Sequence, residues 1–326
     1  MTSNDSGPTP FLHLPVMEAE VVELFGPVPA GVIVDATVGG GGHAHAVLAA
    51  LPHVRLVGLD QDPAAVDAAR ERLEVFGDRA MVVQARFDHL VPVMSSLGIE
   101  ELSGVLFDLG VSSHQFDRPE RGFSYRFDAP LDMRMDPAST TTAADLVNNL
   151  DESDLSDLLV TFGDERFAAR IARAIVSARP VLTTIQLAET VRSAIPAPAR
   201  RRGGHPAKRT FQALRLVVND ELGVLPVAIE AALSSLTVGG RCVVLSYHSG
   251  EDRIVKAGFR RAATGGCTCP DRLPCVCGAT PSVRLLKQGS RKPTGAEVSA
   301  NPRAESARLR AVEKIAGVSV RGPGGR

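Results

Sequence analysis

Asp35 and the glycine run that follows it are the residues whose types and spacing point most directly to a ligand. An apolar, β-branched stretch begins at Gly31 and ends at Asp35, and it is followed by the four glycines of 39–42 and by His43. An apolar strand that leads into a glycine turn is typical of nucleotide-binding α/β units, because a backbone without Cβ atoms can approach a ligand closely. A carboxylate beside a pyrophosphate would be repelled. Asp35 therefore favours a cationic ligand such as S-adenosylmethionine, which carries an ammonium and a sulfonium group, over a dinucleotide such as NAD.

Two further acids end two further apolar runs. Asp60 closes the run from Val54, about twenty residues beyond the glycines, where such folds hold a ribose diol. A third run over 81–84 leads to Phe87, and Asp108 closes a fourth. Any one of these acids alone could be an ordinary turn residue. Because the carboxyl ends of parallel strands meet at one edge of a sheet, three such acids predict a common ligand site.

These acids need an α/β framework, and the pattern of the chain predicts one up to Gly110. Beyond it the alternation of strands and helices stops, and a loop-like segment over 112–135 follows. Helical periodicity then dominates, over 143–161, 164–178, 183–195 and from Phe211 towards Pro226. Sheet character returns at 240–247. The simplest fold class is therefore α/β, a doubly wound parallel sheet with a helical insertion after the fourth strand. The predicted domains are a disordered tail over 1–11, a discontinuous α/β domain over 12–111 and 216–326, and a substrate-recognition insertion over 112–215.

Composition bounds the class of protein. The chain has 326 residues, of which 44% are hydrophobic, and this is ordinary for a globular protein with a large core. No apolar run approaches the roughly 18 residues of a membrane span, and the polar beginning of the chain lacks the basic and apolar segments of a signal peptide. We therefore expect a cytoplasmic protein without a membrane partner. The net charge of −1 is uninformative about nucleic acid, so that question depends on local charge.

Local charge points to RNA. The segment 198–209 carries five cations and no acid, basic residues recur over 291–310, and aromatic residues alternate with arginines over 116–127. Aromatic faces that stack on bases, together with cations for phosphates, describe a surface for single-stranded nucleic acid. Solvated loops, or aromatic residues that anchor a core, would give the same pattern. The candidate RNA contacts are Arg118, Arg121, Phe123, Arg134, Arg201, Lys208 and Arg209.

The cysteines form a separate pattern. Cys267-Thr-Cys269 and Cys275-Val-Cys277 lie close together in a glycine-rich loop over 264–280. Four thiolates at this spacing could hold one structural Zn²⁺ in a tetrahedron, or they could remain reduced thiols, whereas disulfides are disfavoured in a reducing cytoplasm. Cys242, inside a predicted strand, is expected in the core.

Long motifs follow one another in order along the chain. They are His13-Leu-Pro-Val-Met17, Asp35-Ala-Thr with Gly41-Gly-His43, Asp60-Gln-Asp-Pro63, Asp108-Leu-Gly-Val-Ser-Ser-His-Gln115, Arg121-Gly-Phe-Ser, Pro130-Leu-Asp-Met-Arg-Met-Asp136, Phe162-Gly-Asp-Glu-Arg-Phe-Ala, His205-Pro-Ala, Phe211-Gln-Ala-Leu-Arg, Val218-Asn-Asp-Glu-Leu222, Tyr247-His-Ser-Gly-Glu-Asp-Arg-Ile-Val-Lys256 and Asn301-Pro-Arg. In these motifs the chain resembles the RsmH (MraW) family of bacterial methyltransferases, from His13 to Arg310. Two departures from the family pattern concern local geometry only: Gly250 stands where a leucine is expected, and the glycine run is longer than usual.

The resemblance implies a class I, Rossmann-like methyltransferase domain with a helical insertion. It also implies transfer of a methyl group from S-adenosylmethionine to the N4 amine of a decoding-centre cytidine, cytosine-1402, in 16S rRNA of the small ribosomal subunit. By position, the residues implied to contact S-adenosylmethionine are Gly41, Gly42, His43, Asp60, Phe87, Asp108 and Gln115, and Asp35 joins them on grounds of charge.

A cytosine amine is a poor nucleophile because its lone pair is delocalised into the ring, so positioning is expected to supply much of the rate. Asp108, or a carbonyl beside it, is the candidate catalytic acceptor for the amine hydrogens, and His43 and His248 are candidates for the same role. Methylation of the ring carbon would need a cysteine nucleophile, and the clustered cysteines lie beyond the last predicted strand. Two further functions fit the pattern less well: a non-catalytic RNA-binding assembly factor and a methyltransferase for a small molecule. The oligomeric state, a homodimer included, is left open by the sequence.

Overall fold

The computed structural model of the chain describes residues 15–116, 118–200, 204–270 and 276–316. The predicted tail over 1–11, one of the predicted RNA contacts, Arg201, and one of the predicted zinc ligands, Cys275, lie outside the described residues.

One seven-stranded sheet organises the α/β part of the chain. Its strands are β1 (Gly31–Asp35), β2 (Val54–Asp60), β3 (Ala80–Gln84), β4 (Leu102–Asp108), β5 (Leu236–Ser246), β6 (Val283–Leu285) and β7 (Arg308–Lys314). They lie in the order β3-β2-β1-β4-β5-β7-β6. The first five are parallel, and β7 runs antiparallel to both β5 and β6. The predicted α/β class is confirmed, and the order reverses at the β1–β4 pair, as in doubly wound folds.

Fourteen helices are described along with the sheet. They are α1 (Glu18–Phe25), α2 (Gly42–Ala50), α3 (Pro63–Leu73), α4 (Leu90–Ser96), α5 (Ser113–Phe116), α6 (Ala143–Asn149), α7 (Glu152–Gly163), α8 (Ala168–Ser177), α9 (Thr184–Ala194), α10 (Ala197–Arg200), α11 (Lys208–Val218), α12 (Glu221–Ser235), α13 (Ser249–Thr264) and α14 (Gly295–Ala300). Shorter 3₁₀ turns cover Glu74–Arg79, Phe87–His89, Pro119–Arg121 and Pro302–Ser306.

Alternation along the strands places a hydrophobic core on each face of the sheet. Ile33 of β1 packs in the cluster that contains α1, α2 and part of α3. Its neighbours Val32 and Val34 pack on the other face, with α4, α12 and α13. Both faces are therefore covered, which is the arrangement that parallel strands require because they are apolar on both sides.

The insertion has a core of its own. A third hydrophobic cluster draws its buried residues from Phe123 to Leu214, on helices α6–α9 and α11 and on the segments before and between them. The helix that spans residue 215 continues to Val218, and Asp220 then adopts a left-handed backbone (φ 49°) before α12 begins. The helix at the predicted boundary of 215 therefore continues across it, and the break before the next helix lies at 219–220.

Three predicted helix boundaries were wrong. The stretch 143–161 is two helices, because Leu150 is extended and Arg179 donates to the terminal carbonyls of Val147 and Leu150. The stretch from 164 begins only at Ala168, since the left-handed Asp164 (φ 48°) ends α7. The stretch from 211 ends at Val218, and the next helix continues through Pro226.

The strands β6 and β7 were not predicted. In β7 buried apolar residues alternate with arginines. Considered alone, the arginines indicate a basic region and not a strand. The antiparallel pairing of β7 with β5 fixes the register, with Val244 opposite Arg310.

Candidate functional site

A cavity of about 1050 Å³ opens at the carboxyl ends of β1, β2 and β4. Doubly wound sheets bind ligands in this crevice, at the point where the strand order reverses. Single small-molecule sites have volumes of roughly 300–1,000 Å³. The cavity is therefore large enough for a second group beside a nucleoside-sized ligand.

Asp35 does not line this cavity, contrary to the expectation from its charge. The sheet continues past it, because the Ala36 and Val38 amides donate to carbonyls of β4 and β2. Asp35 is left 1% exposed, and its carboxylate accepts a hydrogen bond from the Thr37 amide. Burial raises the pKa of Asp35 to about 7, although the nearby His43 opposes the shift. Asp35 is thus a buried group behind the cavity wall and not a direct contact.

Asp60 does line the cavity. Its two carboxylate oxygens accept hydrogen bonds from the Gly39 and Asp62 amides, both at 2.9 Å. Burial raises the pKa of Asp60 to about 6 in spite of these hydrogen bonds. Phe87 also lines the cavity and packs edge-on against Phe107, with ring centroids 5.9 Å apart. A carboxylate acceptor and an aromatic face therefore stand at the same end of the cavity.

Asp108 is held from two sides at the end of β4. The Tyr247 hydroxyl donates to its Oδ1 at 2.6 Å, and the Nε2 of His43 lies 3.6 Å from its Oδ2. Burial opposes the charging of His43, but the Asp108 carboxylate outweighs it and holds the pKa of His43 above its ordinary value. Neither ring nitrogen of His43 has a hydrogen-bond partner in the described residues. All three side chains line the cavity.

The glycines have different roles from one another. Gly40 lines the cavity, and a Cβ built on it would meet nothing within 4 Å, so a ligand can lie against its backbone. Gly42 lines the cavity as well, but a Cβ there would come within 2.7 Å of Pro15. Gly41, predicted to contact the ligand, has a φ of 77° and packs against Ala69 of α3 outside the cavity wall. Gly41 is required by the turn and by helix packing.

Gln115 joins the insertion to the sheet edge through Asp62. Asp62 is fully buried at the N-terminus of α3 and accepts from the Ala64 amide. Its other carboxylate oxygen accepts from the Gln115 side-chain amide at 3.1 Å and from the Arg121 guanidinium at 2.9 Å. Gln115 lines the cavity, so the predicted contact and the insertion are positioned by one buried carboxylate.

Three of the predicted RNA contacts are structural residues. Phe123 is 5% exposed in the core of the insertion and cannot stack on a base. The Arg121 guanidinium donates to Asp62 and to two backbone carbonyls. Arg134 forms a two-pronged ion pair with Asp132 at 2.8 and 2.7 Å. The aromatic and basic residues of this loop therefore anchor it to the rest of the protein.

The remaining described candidates behave differently. Arg118 and Lys208 are exposed and line the cavity, so they are available to a large substrate at its mouth. Arg209 is exposed but donates to the Asp164 carbonyl at 2.6 Å.

The basic residues near the C-terminus are also largely engaged. Arg310 forms a two-pronged ion pair with Asp252, at 2.8 and 3.0 Å. The Arg303 guanidinium lies over the Phe116 ring, 5.7 Å from its centroid, and both residues line the cavity. Arg303 and Phe116 therefore form part of the cavity wall, whereas Lys292 and Arg308 of the same region are exposed.

A glutamate–arginine cluster (Arg215, Glu221 and Glu251) also lines the cavity, and sequence reasoning missed it. Both carboxylate oxygens of Glu221 accept from the Arg215 guanidinium, at 2.8 and 3.1 Å, and Arg215 lies 4.0 Å from Glu251. Glu251 also accepts from the Tyr247 amide at 2.7 Å, and His248 lies 2.9 Å from it. Tyr247 therefore links this cluster to Asp108.

Burial affects the pKa of one member of this cluster, Glu221. Glu221 is 9% exposed, and burial raises its pKa above the ordinary value even though the Arg215 guanidinium opposes the shift. The sequence did contain one signal for this cluster: two of the long motifs contain a glutamate, and each glutamate lies in the first turn of a helix. That signal does not identify Arg215 as their partner.

The clustered cysteines lie away from the cavity. The thiol sulfurs of Cys267, Cys269 and Cys277 are all within 4.8 Å of one another. They follow α13, which begins next to His248 and has 16 residues, so its far end is about 24 Å from its start. None of the described cysteines lines the cavity, so none is placed to attack a ring carbon there. Cys242 is buried in the core, as expected.

Comparison with known proteins covers nearly the whole chain. The model of the MraW methylase family matches residues 10–315. Ribosomal RNA small subunit methyltransferase H of Heliobacterium modesticaldum is 51% identical over 311 residues, which cover 94% of this chain and 99% of that protein. The protein of the same name from Thermobifida fusca is 53% identical over 309 residues, with 93% of each chain covered. Among solved structures, an rRNA methylase from Streptococcus thermophilus aligns with a TM-score of 0.42 and 11% identity, over 91% of this chain and 95% of that one.

Among the described residues, no helix is both long enough and apolar enough to span a membrane.

Proposed function

The chain belongs to the MraW methylase family, and on that premise we propose that it transfers a methyl group from S-adenosylmethionine to the N4 amine of a decoding-centre cytidine in 16S rRNA. The support from similarity is the name of the close relatives, ribosomal RNA small subunit methyltransferase H. The single structural observation that carries the proposal is one cavity whose wall contains both Asp60 and Phe87, which we call its near end, and the glutamate–arginine cluster, which we call its far end.

The near end of the cavity fits the methyl donor. Asp60 can accept hydrogen bonds from ribose hydroxyls, because each of its oxygens retains a lone pair beyond the bond it makes with a backbone amide. Phe87 offers a ring face or edge to the adenine, and the Gly40 backbone allows close approach. When bound, S-adenosylmethionine supplies a methyl group on a positively charged sulfur.

Asp108 is the residue that we assign to the amine. The N4 lone pair forms the new bond to the methyl carbon while the carbon–sulfur bond breaks and its electrons remain on sulfur. The nitrogen then carries a positive charge and loses a proton. A carboxylate that accepts a hydrogen bond from the amine turns the lone pair towards the methyl group and receives or relays that proton. Tyr247 and His43 fix the orientation of this carboxylate.

The glutamate–arginine cluster fits the hydrogen-bonding edge of cytosine. Cytosine presents an amine donor beside ring-nitrogen and carbonyl acceptors, and glutamate is a suitable acceptor for that amine. Glu221 supplies an acceptor and Arg215 supplies donors, side by side in the cavity wall. Uracil presents a carbonyl where cytosine presents the amine, so this pair would discriminate against it.

A larger substrate fits the mouth of the cavity. Arg118 and Lys208 are exposed there, and the partly exposed Phe116 ring stands with them. Cations beside an aromatic ring are suited to a flexible RNA strand, with the target base turned out of its stack into the cavity. We therefore propose that the substrate is RNA within the small ribosomal subunit and not a free nucleoside.

The test is methyl transfer from labelled S-adenosylmethionine to small subunits from a strain that lacks the modification. We expect label in 16S rRNA, at one nucleotide, recovered as N4-methylcytidine after digestion to nucleosides. Large subunits and free cytidine are the controls, and both should remain unlabelled. Recovery of 5-methylcytidine would refute the proposed chemistry. Tight binding to subunits with no transfer would instead indicate an assembly factor.

The form of the substrate and the number of copies that act together stay predictions. The same assay on naked 16S rRNA and on assembly intermediates identifies the form. Light scattering on the purified protein tests the homodimer.

A further inference from the structure

The cysteine-rich loop between α13 and β6 carries a feature that methyl transfer does not use. Three of its thiol sulfurs, on Cys267, Cys269 and Cys277, lie within 4.8 Å of one another, and the sulfurs of Cys267 and Cys277 are 3.6 Å apart. Sulfurs bound to one zinc ion at about 2.3 Å stand about 3.8 Å apart in a tetrahedron. The separation of the Cys267 and Cys277 sulfurs is close to that of two ligands of a shared metal ion.

The loop has a closed base but no core of its own. Gly265 (φ 62°) ends α13, and a Cβ there would overlap the Thr280 backbone, so the two ends of the loop are in contact. The Ser282 amide then donates to the Ala262 carbonyl at 3.0 Å. Among the described residues between these ends, none is buried, and Val276 is 89% exposed. Apolar packing therefore does not account for the gathering of the thiols.

We propose that Cys267, Cys269 and Cys277 bind a structural Zn²⁺ that cross-links this loop. Each thiol gives up its proton to solvent and binds the metal as a thiolate. The fourth position of the tetrahedron belongs to a further ligand. The ion is placed for a structural role, because the loop follows the far end of α13, about 24 Å from the start of that helix.

Metal analysis tests the proposal on the full-length protein. The protein is incubated with excess zinc and a non-thiol reductant, and unbound metal is removed by desalting. We expect about one zinc ion per chain in the wild type and none in the Cys267→Ser/Cys269→Ser double variant. Cys242→Ala is the matched control, because this thiol is buried in the core, and it should keep the metal. Wild-type protein without stoichiometric zinc, or a double variant that retains it, would overturn the proposal.

Cobalt substitution identifies the ligands independently of folding. Co²⁺ bound by several thiolates gives a strong sulfur-to-metal absorption band, which should be present in the wild type and in Cys242→Ala and absent from the double variant. In Cys275→Ser, a weakened band assigns the fourth position to that residue, and an unchanged band assigns it to another ligand. A wild-type spectrum without the thiolate band contradicts the site.

Donor binding and proteolysis provide controls that do not depend on the proposed methyl transfer. The double variant should bind S-adenosylmethionine within about twofold of the wild type, since the loop lies at the far end of α13. Its loop should be cut by trypsin more rapidly than that of the zinc-loaded wild type. Equal cleavage rates would show that the metal does not order the loop.

Discussion

The two ends of the cavity differ in whether their acidic side chains form ion pairs with arginine or lysine. At the near end, Asp35, Asp60 and Asp108 form no ion pair with lysine or arginine in the part of the chain that the structure describes, and the first two have raised pKa values. At the far end, Glu221 is matched by a two-pronged contact with Arg215. An end with unmatched acids favours a cation, and an end with a matched donor and acceptor favours a neutral polar base. The difference assigns the positively charged methyl donor to the near end and the neutral cytosine base to the far end.

The largest effect is expected at the point where the two ends meet. Asp108→Asn should lower kcat by about 100-fold or more, because the amide is a weaker acceptor for the amine hydrogen and its proton. Affinity for the demethylated donor should change by less than about threefold, since other groups hold the nucleoside. Single-turnover methylation and calorimetry separate the two quantities. Tyr247→Phe, which removes only the supporting hydroxyl, should cause a smaller loss, and a full rate in Asp108→Asn would remove Asp108 from catalysis.

The far end is tested by Glu221→Gln and Arg215→Lys. Each change disturbs one half of the cytosine-reading pair, and we expect kcat/KM for small subunits to fall by roughly 10- to 100-fold, in line with about 1–3 kcal/mol for such a contact. Donor affinity should remain unchanged, and thermal unfolding serves as the folding control. Equal losses in donor binding and in subunit methylation would show that the two ends are not separate.

The near end is tested by Asp60→Asn. Loss of a charged acceptor for the ribose hydroxyls should weaken donor binding by about tenfold, because hydrogen bonds to charged groups contribute about 1.5–3 kcal/mol. The asparagine can still accept one backbone amide, so folding should be retained. Donor binding by calorimetry and kcat at saturating donor are the measurements. A variant with normal donor affinity and impaired base recognition would reverse our assignment of the two ends.

The unmatched acids also predict a pH dependence. The pKa values of Asp35 and Asp60 are raised to about 7 and about 6, so the folded protein holds protons there more tightly than the unfolded chain does. The free energy of unfolding should therefore fall as pH rises from about 4 to 7, by at most about 1.4 kcal/mol per pH unit for each group. Asp35→Asn should flatten this slope in denaturant titrations, while retaining an acceptor for the Thr37 amide.

Binding of a cation has the opposite pH preference. A positively charged donor favours the ionised carboxylates, so its affinity should increase several-fold between about pH 5.5 and 8 as these groups lose protons. Deprotonation of His43, whose pKa is raised by Asp108, acts in the same direction. Calorimetry across this range checks the trend, which should be weaker in Asp35→Asn. Affinity that decreases as pH rises would contradict the charge argument for the near end.

The smallest effects are expected at the mouth of the cavity. Arg118→Ala and Lys208→Ala should each raise the KM for subunits by about two- to fivefold. Each should also reduce the slope of log K against log salt concentration by about one, which corresponds to the loss of one phosphate contact. Arg121→Ala should instead lower stability, because it leaves Asp62 buried with one partner fewer. Thermal unfolding distinguishes the two classes of arginine. An Arg121 variant of normal stability that binds subunits poorly would restore that residue to the RNA surface.

The near end of the cavity was largely predictable from sequence, because its signals are local. A strand, a turn and a helix start within a few residues place Asp60, Gly40 and His43 at one edge. Asp35 lies behind the cavity wall because the pairing of strands continues past it, and sequence alone does not show where that pairing ends.

The far end and the insertion depend on contacts between distant segments. Arg215 and Glu221 are close in sequence but meet across the break between α11 and α12, and Glu251 joins them only after the chain has passed through β5. Phe123 and Arg121 have the composition of an RNA-binding loop, yet a hydrophobic core and a buried carboxylate engage them. Residue type predicted the chemistry of these side chains but not their partners.

Calorimetric titration of the wild-type protein with four ligands tests the central claim most directly. The unmatched acids of the near end predict that S-adenosylmethionine and its demethylated product bind with one molecule per site, whereas NAD and ATP bind at least about tenfold more weakly because their phosphates are repelled. Tight binding of NAD or ATP, with no response to either form of the methyl donor, would contradict the account.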